Sequence, residues 1–303
     1  MGLNLISVGN EGANNGGIKA VVLGKSGIGK TTQLKTLPPE STLFIDHEAG
    51  DLAVQEWLQA GGARIDVFEK AREAGWSAWD MTRAIACWLG GPSPLAMNDA
   101  DTYSKAHYKA MCDALGDPAP VLDRFKTLFV DSITVVSRAC FAWAKTQPRA
   151  FSEKTGKPDI RGAYGLLKEE MVGWLTQWQH VRGHDVIMLG ILDDVKDDFN
   201  RQTWVPQIEG SGTANALPGI VDQVITMAEL KAEDGTPYRA FVCHTLNPWG
   251  YPAKDRSTCL DMVEEPNLGK LLAKIRANGR KSNLTYQMPA GTAALPQAAE
   301  ATT

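Results

Sequence analysis

The feature that most constrains the fold is residues 24–31, GKSGIGKT, which match GxxxxGK[ST] in full. An apolar, β-branched run at 18–23 precedes the motif, and a helical pattern at 30–37 follows it and ends at Pro38-Pro39. Glycines in such a loop let successive backbone N–H groups point at phosphate oxygens, and the following helix presents its positive N-terminus to them. The motif therefore predicts a site for nucleotide phosphates, called the phosphate loop below.

The spacing of the motif assigns roles within the phosphate loop. Lys30 is expected to reach the β- and γ-phosphates, and Thr31 is expected to ligate Mg²⁺. The sequence contains no guanine-reading NKxD pattern, which favours ATP. The predicted nucleotide-binding residues are Gly24, Lys25, Ser26, Gly27, Ile28, Gly29, Lys30, Thr31 and Thr32.

Besides the threonine hydroxyl, a phosphate loop needs a carboxylate to hold the water shell of Mg²⁺. This carboxylate normally lies at the end of a neighbouring strand. The apolar run at 127–130, TLFV, ends in Asp131-Ser132. We therefore predict Asp131 as the second magnesium-side residue, with Thr31 as the first. The Asp-Ser ending differs from the Asp-Glu ending of AAA+ machines, which argues against that type.

Apolar runs alternate with helical patterns along the chain. The predicted strands after the first lie at 42–46, 64–68, 127–130, 185–192, 220–230 and 238–246. Strands that alternate with helices predict an α/β fold with a mostly parallel sheet flanked by helices. Residues 75–122 differ, since they hold three of the nine tryptophans and two Gly- or Pro-rich breaks, and we predict a helical insertion there.

The ends of the chain differ in composition from the middle. We expect a flexible lead-in at 1–17, an ATPase core at 18–265, and a basic segment with a disordered, flexible C-terminal tail at 266–303. Over all 303 residues, 44% are hydrophobic and 22% charged, which excludes wholesale disorder. The net charge of −4 excludes a globally basic protein, so any contact with nucleic acid needs a local basic patch.

Targeting signals are missing from the sequence. No apolar run approaches the ~18 residues of a membrane span, and the first residues lack the pattern of a signal peptide. The five cysteines are widely spaced, without a CxxC pair. We therefore expect a cytoplasmic protein with reduced thiols and no membrane partner.

Several further segments occur in a recognisable order. They are the phosphate loop, FIDHEAGD at 44–51, VDSIT at 130–134, IEGSGTANALPGIVDQV at 208–224 and AKDR at 253–256. Together they resemble short RecA-fold ATPases encoded by bacteriophages, some of which act in single-strand annealing and recombination. The resemblance spans 18–50, 126–140 and roughly 184–260.

The resemblance implies a RecA-like ATPase that hydrolyses ATP to ADP and phosphate, assembles as a homo-oligomer and binds single-stranded DNA in a bacterial host cell. A phage or host replication or recombination protein is a further implied partner. In RecA-like proteins, the strand that corresponds to 43–48 of this chain ends in the glutamate that activates the attacking water. The implied catalytic residues are thus Glu48, Lys30 and Asp131, with Asp46 as an alternative base. A carboxylate at a strand end beside the phosphate-loop strand could orient water for in-line attack.

Two loops of RecA-like cores face DNA. The first corresponds to 146–162, within a window at 138–161 that holds six cations and two acids, 6 − 2 = +4. The candidate contacts there are Arg149, Lys154, Lys157 and Arg161, with Phe151 as a stacking face, and a solvated basic loop is the alternative. The second loop corresponds to 193–212, where the acidic start at 193–198 should repel DNA and the middle, 199–204, suits it better.

Two groups of cations occur late in the chain. The resemblance implies that Lys254 and Arg256 reach the nucleotide of a neighbouring subunit, and an ion pair with Asp255 is the alternative. The basic stretch at 268–281 is either an extra DNA-binding arm or a helix packed on the core by its leucines and Ile275.

One position departs from the RecA-like pattern. After the strand at 185–192, where those proteins place a Gln or His sensor near the γ-phosphate, this chain has Asp193-Asp194. The departure permits a slow nucleotide-dependent switch. An ATP-driven motor or loader acting on a protein partner is a separate alternative. A small-molecule kinase is disfavoured, because the acidic 193–198 segment makes a poor lid.

Overall fold

A ten-stranded sheet forms the centre of the computed structural model, which describes residues 16–196 and 202–277. The strands are β1 (Lys19–Gly24), β2 (Thr42–Asp46), β3 (Ala63–Asp66), β4 (Thr127–Asp131), β5 (Asp185–Lys196), β6 (Gln202–Pro206), β7 (Gln223–Lys231), β8 (Pro237–Val242), β9 (Lys254–Asp255) and β10 (Val263–Glu264).

The order of the strands is β10-β8-β7-β1-β5-β4-β2-β3, with β6 paired to β5 and β9 paired to β7. From β7 to β3 all neighbours are parallel, whereas β6, β8, β9 and β10 pair antiparallel. Every residue of β1 and of β4 is buried, as expected for strands covered on both faces. The predicted α/β fold with a mostly parallel sheet is confirmed.

Nine α-helices flank the sheet in the described part of the chain. They are α1 (Gln55–Gln59), α2 (Val67–Ala74), α3 (Ala78–Gly90), α4 (Lys105–Leu115), α5 (Ala119–Arg124), α6 (Ile133–Ala144), α7 (Ile160–Gln179), α8 (Ser211–Ile220) and α9 (Leu268–Ala277). Short 3-10 helices occupy Thr31–Thr36, Pro39–Ser41, Asp51–Val54 and Pro148–Ala150. Among these described helices, none combines the length and the apolar character needed to cross a membrane.

The sheet has a hydrophobic core on each face. Val21 and Leu23 of β1 belong to one core, and the alternating Ala20 and Val22 belong to the other. The first core is closed by α3, α6 and α7, and the second by α9 and the residues after the phosphate loop. Burial of each large apolar side chain contributes ~1.5–3 kcal/mol, so both layers hold the strand ends in place.

The segment predicted as a helical insertion, 75–122, contains α3, α4 and the start of α5. Its first helix is part of the central core, because nine residues of α3 are buried and Trp79 lies against α6 and α7. The boundaries proposed for the lead-in, core and tail stay predictions, and residues 1–15 and 278–303 lie outside the described residues.

Two local expectations need correction. The helix expected at 30–37 is present as a six-residue 3-10 helix, Thr31–Thr36. It ends where Leu37 is extended (φ −107°, ψ 145°) before Pro38, as residues before proline prefer. The second DNA loop expected at 193–212 is largely a β-hairpin, since β5 continues to Lys196 and pairs with β6. Residues 197–201 of that loop lie outside the described residues.

Candidate active site

The phosphate loop and the predicted carboxylates meet at the carboxyl edge of the sheet. The loop leaves the end of β1, while β2 and β4 end in register at Asp46 and Asp131. The expectation that these strands neighbour β1 is wrong, because β5 lies between β1 and β4, and β2 lies beyond β4. The loops bridge this gap: a Cβ on Gly50, just after β2, would lie 4.0 Å from Thr31 Cγ2.

The glycines of the phosphate loop are required by its shape. Gly27 and Gly29 have φ values of +77° and +106°, which other residues rarely adopt. A Cβ on Gly24 would lie only 2.7 Å from the carbonyl oxygen of Met227. The backbone thus forms the concave turn that the motif predicted.

Lys30 points back into this turn. Its buried Nζ donates hydrogen bonds to the carbonyl oxygens of Gly24 at 2.9 Å and Lys25 at 3.0 Å. Burial lowers the pKa of Lys30, and the negative charges of Asp131 and Glu48 oppose that shift. The ammonium is therefore placed to exchange two carbonyl partners for phosphate oxygens.

The two predicted magnesium-side residues are in contact. Thr31 Oγ1 donates to Asp131 Oδ2 at 2.5 Å. Burial raises the pKa of Asp131 to about 7, against the Thr31 hydrogen bond and with a contribution from Glu48 and Asp46. A hydroxyl and a carboxylate at one point are oxygen ligands of the kind Mg²⁺ takes, and a buried carboxylate with a raised pKa favours a nearby cation. These residues fit Mg²⁺.

Glu48 and Asp46 differ in what surrounds them. Asp46 is buried, accepts from Arg64 Nε at 2.8 Å through one oxygen, and accepts from the Glu48 backbone N–H at 2.8 Å through the other. Glu48 is exposed, and its carboxylate accepts a short hydrogen bond from Ser132 Oγ. The backbone N–H of His47 donates to the Asp131 carbonyl at 2.6 Å and ties the two strand ends together. The geometry favours Glu48 over Asp46 as the group that could meet a water molecule.

Sequence reasoning missed three residues near this edge. Ser132 follows Asp131 in the motif and positions Glu48. Arg64 lies on β3 and forms an ion pair with Asp46. The pairing register of β2 and β3 brings the two residues together, and the linear sequence does not show it. Gln207 is returned to the end of β5 by the hairpin, where its backbone N–H donates to Ile191 and its side chain contacts Arg138 and Asp193. A polar amide therefore does lie beside this strand, although the sequence order concealed it.

The four candidate DNA contacts divide into two kinds. Arg149 forms a bidentate ion pair with Glu169, with distances of 2.5 and 2.9 Å. Lys154, Lys157 and Arg161 are exposed, and none forms an ion pair within residues 16–196 and 202–277. The loop itself is a closed turn, since Ser152 N–H donates to the Lys157 carbonyl at 2.8 Å.

The late cations are held by their own chain at the opposite, amino edge of the sheet. Lys254 Nζ donates to the carbonyl oxygens of Pro218 and Val221, at 2.6 and 2.8 Å. Arg256 pairs with Asp222 at 2.9 Å, so the expected alternative of a pair with Asp255 is wrong. Their strand, β9, pairs with the first residues of β7, away from the phosphate loop of the same chain. A role at a neighbouring subunit stays a prediction.

The basic stretch forms α9, which is packed on the core. Leu268, Leu271, Leu272 and Ile275 are buried in the second core. Its cations meet acids of the same chain, as Lys270 with Glu265, Lys274 with Asp261 and Glu264, and Arg276 with Asp185. The described part of the stretch is thus a core helix, while Arg280 and Lys281 lie outside the described residues.

Comparison with solved structures gives distant similarities. One is to the flagellar accessory protein FlaH from Methanocaldococcus jannaschii, with 8% identity, a TM-score of 0.34, and coverage of 80% of this chain and 85% of that chain. Another is to an ATPase of the type III secretion system of pathogenic bacteria, with 14% identity, a TM-score of 0.33, and coverage of 70% and 52%. None of the curated proteins matches the sequence.

Comparison with family models is more informative. Residues 16–257 match a model described as an AAA domain. The match includes the phosphate loop, Glu48 and Asp131, and it shows that the Asp131-Ser132 ending does not exclude AAA membership. Together with the geometry of the carboxyl edge, it establishes a P-loop ATPase domain. This chain belongs to the AAA domain family.

Proposed function

We propose that the protein binds and hydrolyses MgATP at the carboxyl edge and uses this reaction on single-stranded DNA, in annealing or recombination of a phage. The observation that carries the ATPase part is the contact of Thr31 with Asp131 beside the Lys30 ammonium. Bound Mg²⁺ would neutralise charge on the β- and γ-phosphate oxygens. Thr31 and Asp131 would hold it there, and Lys30 would leave its carbonyl partners for the phosphates.

Glu48 would act on the attacking water. Its carboxylate is exposed and held at one oxygen by Ser132, so the other oxygen can orient a water molecule and accept its proton. Asp46 is a poor alternative, since Arg64 and a backbone N–H occupy its two oxygens. Ser132 is a positioning residue in this scheme.

The DNA part rests on a surface that we call the α6–α7 face, formed by Arg138, Phe141, Lys145 and Tyr164. The rings of Phe141 and Tyr164 stack with centroids 4.5 Å apart, and Lys145 Nζ lies 4.8 Å from the Phe141 ring. Tyr164 is 42% exposed. Stacked aromatics beside cations are what single-stranded nucleic acid binding requires.

The end of the second predicted loop reaches the same face. A Cβ on Gly210 would lie 3.8 Å from the Tyr164 ring, and Arg138 donates to Gln207 at 3.0 Å. Both loops implied by the RecA resemblance therefore border the α6–α7 face, which supports it as the DNA contact.

The test is the rate of ATP hydrolysis with and without single-stranded DNA, using Lys30→Ala as the blank. We expect single-stranded DNA to stimulate hydrolysis. The DNA concentration that gives half of this stimulation measures DNA affinity, which should fall roughly tenfold in Tyr164→Ala because stacking of one base contributes ~1–3 kcal/mol. Tyr238→Ala is the matched control, since Tyr238 is also 42% exposed and lies on β8. Equal DNA affinity in wild type, Tyr164→Ala and Tyr238→Ala would refute the α6–α7 face as the DNA contact.

A second candidate is an ATP-driven motor or loader that acts on a protein partner. It is favoured by the ion pair that engages Arg149 within the chain and by two exposed apolar side chains, Leu246 at 87% and Trp249 at 37%. Hydrolysis that ignores DNA would favour this candidate. Tight ATP binding without hydrolysis would favour a slow switch.

A homo-oligomer is part of the proposal. If Lys254 and Arg256 serve a neighbouring subunit, hydrolysis per subunit should rise with protein concentration. Arg256→Ala should lower that rate while leaving ATP affinity unchanged. A rate independent of concentration would contradict the neighbouring role.

A further inference from the structure

We propose that a cavity between the phosphate loop and the β7–β8 hairpin binds the nucleoside part of the triphosphate, a site that rests on the proposed MgATP function. The cavity has a volume of about 390 Å³. One wall is residues 25–28 of the phosphate loop, and the other includes Met227, Glu229, Arg239 and Tyr251. Sites for small ligands commonly have such a volume. The lining combines the apolar Ile28 and Met227 with polar and charged groups, as a nucleoside next to phosphates would need.

The direction of the triphosphate follows from the order of the strands. Thr31, Asp131 and Glu48 gather on the side of β1 that faces β5 and β4. The γ-phosphate must face these residues, because they hold the metal and the water in the proposed reaction. The nucleoside is at the other end of the phosphate chain, so it should leave the loop toward β7 and β8. The cavity lies on that side.

The ring of Tyr251 offers a surface for the base. Its ring packs on Trp204, with centroids 4.7 Å apart and planes 33° from parallel. Trp204 is itself fixed, because its Nε1 donates to the Trp249 carbonyl at 3.1 Å. An aromatic ring held in this way can stack on a base at a small cost in side-chain entropy.

Two charged side chains complete the cavity. Arg239 Nη1 lies 3.5 Å from the point that a Cβ on Gly29 would occupy, so the guanidinium sits against the phosphate loop. Glu229 is the cross-strand partner of Arg239, which places both side chains on one face of the hairpin. We assign Glu229 to the ribose hydroxyls, which can donate to a carboxylate, and Arg239 to the phosphate nearest the ribose.

The rim of the cavity is continuous with the β5–β6 hairpin. Lys25 Nζ lies 3.7 Å from Asp194 and 4.9 Å from the centre of the Trp204 ring. Because Trp204 packs on Tyr251, the same aromatic pair borders the cavity and the hairpin. Quenching of tryptophan fluorescence by a bound nucleotide is an expected accompaniment.

The test compares Mg²⁺-dependent binding of ATP and of inorganic tripolyphosphate by titration calorimetry. Tyr251→Ala should weaken ATP about tenfold, from loss of ~1–3 kcal/mol of stacking, and leave tripolyphosphate unchanged. Tyr251→Phe should retain ATP affinity, and Tyr238→Ala, at a tyrosine outside the cavity, should change neither ligand. Lys30→Ala should weaken both ligands.

The outcomes separate this inference from the proposed function. If Lys30→Ala weakens neither ligand, the phosphate loop does not bind ATP and the proposed function fails. If Lys30→Ala weakens both ligands while Tyr251→Ala leaves ATP affinity intact, the cavity is not the nucleoside site. Glu229→Ala gives a check on an exposed residue: wild-type protein should bind ATP several-fold more tightly than 2′,3′-dideoxy-ATP, and the variant should bind them equally. Unchanged discrimination in the variant would overturn the ribose assignment.

Discussion

The two edges of the sheet both collect buried charge, but they resolve it differently. At the amino edge, Lys19 Nζ donates to the carbonyl oxygens of Gly16 and His184, at 2.9 and 2.8 Å. Asp185 accepts from the Ile18 N–H at 2.9 Å and pairs with Arg276. The Lys19 ammonium is therefore satisfied by backbone carbonyls, and the Asp185 carboxylate by a backbone N–H and an ion pair.

At the carboxyl edge the acids outnumber the cations. Within residues 16–196 and 202–277, the cations that interact with Asp46 and Asp131 are Arg64 and Lys30, and Arg64 is also shared with Asp51 and Asp66. Burial raises the pKa of Asp131 to about 7, and the negative charges of Glu48 and Asp46 add to the rise while Thr31 and Lys30 oppose it. The amino edge therefore satisfies its buried charges within the fold, whereas the carboxyl edge keeps an excess of acidic charge, as the proposed MgATP site requires.

The largest contrast between the edges should appear in MgATP affinity when the buried lysine of each edge is replaced. We expect Lys30→Ala to weaken MgATP up to about a hundredfold, since hydrogen bonds to charged groups contribute ~1.5–3 kcal/mol each. Lys19→Met should leave MgATP affinity within about twofold, because its ammonium serves backbone carbonyls far from the loop. Titration calorimetry on both variants measures the contrast, and equal losses would remove the distinction between the edges.

A carboxylate of each edge gives the next contrast, in stability. Asp185→Asn should lower the free energy of unfolding by about 2 kcal/mol, less than the ~3–5 kcal/mol of a fully buried pair because Arg276 is 49% exposed. Asp131→Asn should leave stability unchanged or raise it, because a neutral amide removes a desolvated charge, while Mg²⁺-dependent ATP binding is lost. Urea unfolding checks the stabilities, and a large loss in Asp131→Asn would contradict the account.

The smallest contrast is in pH dependence. Burial lowers the pKa of Lys19 to about 8, with Asp222 opposing and Arg182 adding to the shift, against ~10.4 in the unfolded chain. Between these values the unfolded state binds more protons, so stability should rise with pH, by about 1 kcal/mol from pH 8 to pH 9 relative to Lys19→Met. Urea unfolding at both pH values measures the difference. Parallel pH profiles for the two proteins would show that Lys19 is not desolvated.

Much of the fold was predictable because a strand buried on both faces is an unbroken apolar run. The runs at 18–23 and 127–130 locate β1 and β4 to within one residue. The apolar run at 185–192 ends four residues before β5 does. The last residues of β5 are mostly polar, because they lie on an exposed hairpin with β6, so no apolar run predicts them. The order of the strands was not predictable, because β5 enters between β1 and β4 by long crossovers.

The site was predictable where one short motif carries it and not where register does. The GKSGIGKT spacing indicated the concave loop, Lys30 and Thr31 from the sequence alone. The choice between Glu48 and Asp46 depends on Arg64, which reaches Asp46 only because β3 pairs with β2 in register. Gln207, Arg239 and Tyr251 come to this edge from strands and turns far along the chain, so no local pattern announces them.

The most direct test of the central claim is single-turnover ATP hydrolysis by wild-type protein and Glu48→Gln at matched nucleotide occupancy. General base catalysis contributes ~10²–10⁴-fold, so we predict that Glu48→Gln binds ATP within about twofold of wild type but hydrolyses it at least ~100-fold more slowly. Hydrolysis by Glu48→Gln at the wild-type rate would contradict the claim that the carboxyl edge is an ATPase site with Glu48 as its base.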